Sequence, residues 1–134
     1  MFDSIAMSEL RKKKEYQYSD LGFYWVPQIV ENQLNEGFDK ALISRFYEPL
    51  NMIHTRFLPR NYFDINQIVP TEKDTIFRKQ LIHGDVHDQG AAMLGGISGH
   101  AGLFSNSEDL AILFQMYLQK GFYGGNQLVD SKTV

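Results

Sequence analysis

The chain has 134 residues and no cysteine, which excludes disulfides, cysteine-rich zinc sites and thiol catalysis. Its 43% hydrophobic and 13% aromatic content supplies a core and excludes wholesale disorder. A formal charge of −3, with basic residues clustered only in the 11–15 stretch RKKKE, argues against nucleic-acid or membrane-surface partners, and no 18-residue apolar run is present to enter a membrane.

In chain order, Phe2, Ile5, Ala6 and Leu10 fall at helical spacing and predict a short amphipathic helix, followed by a polar connector over 11–17. A longer helix is expected from Ser19 or Asp20, with Leu21, Trp25, Ile29 and Leu34 inward, a kink or late start at Pro27, and a stop at Gly37. Phe38, Ala41, Leu42 and Phe46 mark a third helix that Pro49 ends. Residues 50–85 lack sustained periodicity and read as a long irregular segment, with a short strand near TIFRKQLI (75–82). Beyond it, VHDQGAAMLGG gives a short helix capped by Asp88, and a glycine-rich turn, GGISGHAG, follows. The last helix is the clearest. Ser105 and Glu108 stand at capping-box spacing, Leu110, Leu113, Phe114 and Tyr117 form its expected buried face, and Gly121 terminates it.

Several stretches invite a chemical reading. GISGH departs from the G-x-S-x-G nucleophile elbow because His100 takes the last glycine position, and no hydrophobic strand precedes it. As a phosphate loop the same segment lacks the required spacing and lysine. In HGDVHD, His83 and His87 are four apart with Asp85 and Asp88 beside them, so on a helix the two imidazoles would share a face. Gly84 argues against such a helix, and hydrogen-bonded structural histidines are the preferred reading, a His/Asp metal-binding domain the weaker one.

Three motifs occur in order: Y-S-D-L-G-F-Y at 18–24, P-L-N-M-x-x-T at 49–55, and G-G-x-x-G-H-A-G-L-F-S-x-S-E-D-L-A at 95–111. That order resembles the middle of the serine β-lactamase-like hydrolases: the class C β-lactamase, D-Ala-D-Ala carboxypeptidase and esterase superfamily. VHDQGAAMLGGISGHAGLFS is most similar to the β-lactamase-type domains attached to exported bacterial glycosidases of the β-N-acetylhexosaminidase kind. The resemblance covers roughly residues 16–134.

By this resemblance the fold is mainly α, the helical subdomain of the serine β-lactamase/transpeptidase-like α/β fold, with few short strands. Residues 1–134 then form a single incomplete domain. No serine here has a lysine three residues later, and KTV at 132–134 lacks the glycine of the family's closing K-T-G, so both the nucleophile lobe and the third-motif strand are expected outside this sequence. The resemblance assigns Tyr18 to proton acceptance or relay from the nucleophilic serine, its anion favoured by a neighbouring lysine and a helix start. Asp20, in a supporting role, stands where the family carries an amide donor, and an ionised carboxylate cannot donate. The parent would acylate its own serine with a β-lactam, a peptidoglycan peptide or an ester, while this piece alone would be inactive.

No cofactor or metal is expected. The implied partners are the missing lobe of the same polypeptide and a fused glycosidase domain, with self-association of the isolated piece. The implied location is the periplasm or exterior, with any export signal outside this sequence. The competing reading is a non-catalytic helical interaction domain in which Tyr18 faces the core and Asp20 merely caps.

Overall fold

The computed structural model describes residues 1–13 and 15–134; Lys14, within the basic cluster, lies outside the described residues. Helix α1 (Phe2–Ala6) forms where its spacing places it, and the Phe2 ring packs on Trp25 at 4.7 Å between centroids. Leu10 is not part of it and is exposed. Helix α2 (Leu21–Leu34) runs through Pro27, which is its one buried residue. Trp25 is half-buried, but Leu21, Ile29 and Leu34 are exposed, so the expected inward face is corrected to the side bearing Pro27. The stop is corrected too. Asn35 takes the left-handed conformation that ends α2, and Gly37 instead opens α3 (Phe38–Leu42). Gly37 has no side chain to cap with, and Glu31 Oε1 supplies the acceptor for the Phe38 N–H at 3.0 Å.

From α3 the chain passes into a π-helical turn, Ile43–Tyr47, that carries it to the core. Tyr47, Leu50, Met52 and Met116 are buried together there, with Ile112, Leu113, Tyr123 and Val129 packed around them. Each fully buried side chain of this size contributes about 1.5–3 kcal/mol.

The irregular segment holds more short structure than its sequence suggests. Strand β1 (Arg56–Phe57) pairs antiparallel with β4 (Leu103–Phe104), matching Arg56 to Phe104 and Phe57 to Leu103. Two 3₁₀ turns, Pro59–Asn61 and Ile65–Gln67, lead into a hairpin of β2 (Pro70–Lys73) and β3 (Leu81–His83), the latter being the strand expected near residue 80. The hairpin tip is held by Asp74, whose carboxylate accepts from the N–H groups of Ile76, Phe77 and Arg78 at 2.8–2.9 Å. Those bonds, Arg78 first, hold its carboxyl at about 2, below the ordinary 3.8.

Helix α4 (Gln89–Met93) follows, with Asp88 accepting from the Ala91 N–H at 2.7 Å as the sequence predicts. Helix α5 (Ser107–Leu118) is present but starts and faces differently. Asn106, not Ser105, is its N-cap, accepting from the Asp109 N–H at 2.9 Å. The buried positions are Asp109 and Met116, while Leu110, Phe114 and Tyr117 are exposed. One residue of offset turns a helix by about 100°. Gly121 ends the helix as expected, at φ 83°, with its N–H donating to the Met116 carbonyl. A closing hairpin pairs β5 (Phe122–Tyr123) with β6 (Asn126–Gln127). All three sheets described are two-stranded, so the chain is helical with few short strands.

Candidate active site

Tyr18 and Asp20 sit where the connector meets α2. The Leu21 N–H is taken by Ser19 Oγ at 3.3 Å, and the Asp20 side chain makes no capping bond. Asp20 enters the helix through its backbone carbonyl instead, accepting from the N–H groups of Phe23 and Tyr24. The carboxylate is thereby left to act on Tyr18, which is 75% exposed. Hydrogen bonding toward Asp20, then Asp20's charge, push the phenol above its usual value. This is opposite in direction to the effect expected beside a lysine.

The first turn of α2 is fixed from one side by the glycine-rich segment. Pro27 has no N–H, which frees the Phe23 carbonyl from its helical partner. Gly99 packs directly against that oxygen, where a Cβ would approach to 2.5 Å. Tyr24 meets the His100 ring edge-on at 4.7 Å. His100 in turn lies between Ser98 Oγ, 2.9 Å from Nδ1, and Asp88 Oδ1, 3.0 Å from Nε2. Burial pushes the Asp88 carboxyl up, but the Ala91 N–H and His100 outweigh it and the group ends below its ordinary value. Ser98 is only 2% exposed, so this serine–histidine–aspartate line is a packed contact rather than an open nucleophile.

A second polar cluster joins the other two motifs. Buried Asp109 accepts from Thr55 Oγ1 at 2.8 Å and from the His54 N–H at 2.9 Å, and Thr55 Oγ1 lies 2.8 Å from Ser105 Oγ. The Thr of P-L-N-M-x-x-T and the Asp of S-E-D-L-A bond each other across the fold, a pairing not evident from either motif alone. The usable signal was a lone aspartate within an otherwise apolar helix face. Beside the cluster lies an open cleft of about 560 Å³, lined in part by His54, Phe63, Phe104 and Ser105.

The HGDVHD residues do not converge. His83 bonds the Ile68 carbonyl, His87 lies 3.5 Å from Glu72, Asp85 pairs with Arg60 at 2.9 Å, and Asp88 caps α4. Among the described residues no group of three or more His, Asp or Glu side chains is placed to hold a metal ion.

The three motifs lie within a stretch that a family model covers: the chain belongs to the beta-lactamase family, whose model matches residues 5–133. It is 37% identical to a protein of Escherichia coli K12 named "Putative D-alanyl-D-alanine carboxypeptidase", over 94% of this chain and 32% of that protein. It is also 37% identical to an N-acetylmuramyl-L-alanine amidase of Bacillus subtilis 168, over 89% of this chain and 30% of that one. A Salmonella typhi protein also named "Putative D-alanyl-D-alanine carboxypeptidase" is 36% identical over 94% of this chain and 32% of that protein. The chain thus spans about a third of the length of the curated relatives it matches. No solved structure matches it significantly.

Proposed function

We propose that this chain is the helical portion of a serine hydrolase and supplies Tyr18 as the group that moves the nucleophile's proton, with Asp20 in support. The observation that carries this reading is the arrangement at the start of α2: an exposed phenol, and a carboxylate spared from capping because Ser19 performs that task. A core-facing tyrosine beside a capping aspartate, which the interaction-domain reading requires, is not what the geometry gives.

In the proposed parent, a serine carried outside residues 1–134 attacks the substrate carbonyl and water later releases the acyl group. A lysine ammonium supplied by the nucleophile lobe would oppose the effect of Asp20 and shift the phenol toward the anion that accepts the serine's proton. The relatives' names favour peptidoglycan stem peptides over small β-lactams as substrate, and with them an exported or periplasmic location. Among the described residues no helix is long and apolar enough to cross a membrane.

The test compares this chain with its full-length parent on nitrocefin, p-nitrophenyl acetate and a D-Ala-D-Ala peptide. The parent should turn over at least one of them, with its acyl adduct on a serine outside residues 1–134, while the chain alone shows none. Turnover by the chain alone that a Ser→Ala change within it abolishes would overturn the proposal.

A further inference from the structure

The buried histidine of the glycine-rich segment has no part in the chemistry proposed above, and its surroundings are more constrained than a packing role needs. Both ring nitrogens are engaged, and the side chain is almost fully enclosed. An ionised carboxylate only accepts, so Nε2 carries the proton given to Asp88, and Nδ1 lies within hydrogen-bond distance of the Ser98 hydroxyl. That pairing fixes the plane of the imidazole, and the imidazole edge meets Tyr24. The Tyr24 hydroxyl is seated over Gly90, where any Cβ would collide with it. Tyr24 and Phe23 are the two residues whose N–H groups bond the Asp20 carbonyl. A continuous set of contacts thus runs from His100 through Tyr24 to the residue that faces Tyr18.

We propose that His100, clamped between Ser98 and Asp88, is a positioning residue for the Tyr18–Asp20 end of α2, acting through its packing on Tyr24. The proposal rests on Tyr18 as the proton-moving group for its catalytic consequence, but not for its structural one. Ser98 and Asp88 set the ring, the ring sets Tyr24, and Tyr24 sets the first turn of the helix. Gly99 against the Phe23 carbonyl holds the adjoining position, so the glycines of this segment permit close approach rather than flexibility.

Amide hydrogen exchange on this chain reads the structural part. Loss of a charge-assisted hydrogen bond corresponds to roughly ten- to a hundredfold in local opening. His100→Ala should speed exchange at Phe23 and Tyr24 by that factor and leave Leu113 to Met116 in α5 unchanged. His100→Gln, whose amide keeps a donor toward Asp88, should recover part of the protection, and Ser98→Ala should give a smaller effect at the same amides. Unchanged exchange at Phe23 and Tyr24, or an equal rise in α2 and α5, would overturn the positioning role. If His100→Ala does not fold, the His100→Gln and Ser98→Ala pair decides by the same criterion.

Turnover by the full-length parent reads the catalytic part. His100→Gln should lower kcat with KM nearly kept, and should lower it no further once Tyr18 is already Phe. Additive losses would overturn the coupling to Tyr18. Localised exchange together with a Tyr18→Phe variant of full activity would keep His100 as a positioning residue and remove Tyr18 from the chemistry.

Discussion

At the scale of single residues, three carboxylates show how placement decides function. Asp20 is left without a helix-capping bond and acts on a neighbouring phenol. Asp109 is buried and holds two segments together, so removing it leaves the His54 N–H without its acceptor and the Thr55 hydroxyl with Ser105 alone. Asp109→Ala should therefore cost about 1–3 kcal/mol, and Thr55→Val should add little to it. Urea denaturation of the single and double variants checks this, and additive losses would show that the two do not share one network. Asp74 offers a pH test. Its folded value of about 2 lies below the ordinary 3.8, so its contribution is complete above that ordinary value and is lost as pH falls through 3.8 toward 2. The stability difference between the wild type and Asp74→Asn should shrink over that interval. A difference constant from pH 5 to pH 2 would contradict the assignment.

Elements were legible in the sequence to the degree that their signals are local. Asp88 caps α4 through the Ala91 N–H three residues on, and Gly121 ends α5, both within reach of a short window. The phase of α5 was not legible. Its apolar residues fit a face through Leu110, Leu113, Phe114 and Tyr117, of which Leu113 alone packs on the core, and the helix is oriented by Asp109, whose partners lie 54 and 55 residues away. The start was misplaced by one residue for a related reason: Ser105 gives its hydroxyl to Thr55, and Asn106 becomes the cap. Asn106→Ala should consequently cost about 1 kcal/mol. Glu108→Ala should leave the denaturation midpoint nearly unmoved, and the reverse ranking would restore the capping box. In α2 the apolar pattern again indicated a different face, because Pro27 is the buried residue and Glu31 bonds the start of α3 while Ile29 is exposed. Tyr18 and Asp20 are singled out by the ordered motifs, while the packing of Gly99 on the Phe23 carbonyl and of His100 on Tyr24 comes from a segment that no window around residue 18 contains.

For the whole molecule, the apolar residues that misled the reading of α5 matter in their own right. Leu110, Phe114 and Tyr117 run along one side of the helix, with Phe114 60% exposed, and Phe122 is exposed in the hairpin that follows. Among the described residues, exposed large apolar side chains outnumber the buried hydrophobic ones. Contiguous apolar surface of this kind marks contact with another body. We expect the rest of the parent polypeptide to cover it, and the isolated chain to self-associate at high concentration and bind a hydrophobic dye. Phe114→Ser should weaken both in sedimentation and fluorescence measurements; a strictly monomeric, dye-silent chain would leave this face without a partner.

One hydroxyl at the start of one helix carries the proposed chemistry. Tyr18→Phe removes that oxygen and keeps the ring, and with the side chain mostly in solvent the fold should be untouched. Measured in the full-length parent on whichever substrate it turns over, kcat should fall by roughly 100- to 10,000-fold, the usual contribution of a general acid–base group, while the melting temperature stays within about a degree. A kcat within a factor of about two of the wild type would make Tyr18 a surface residue and remove the proton relay from this account.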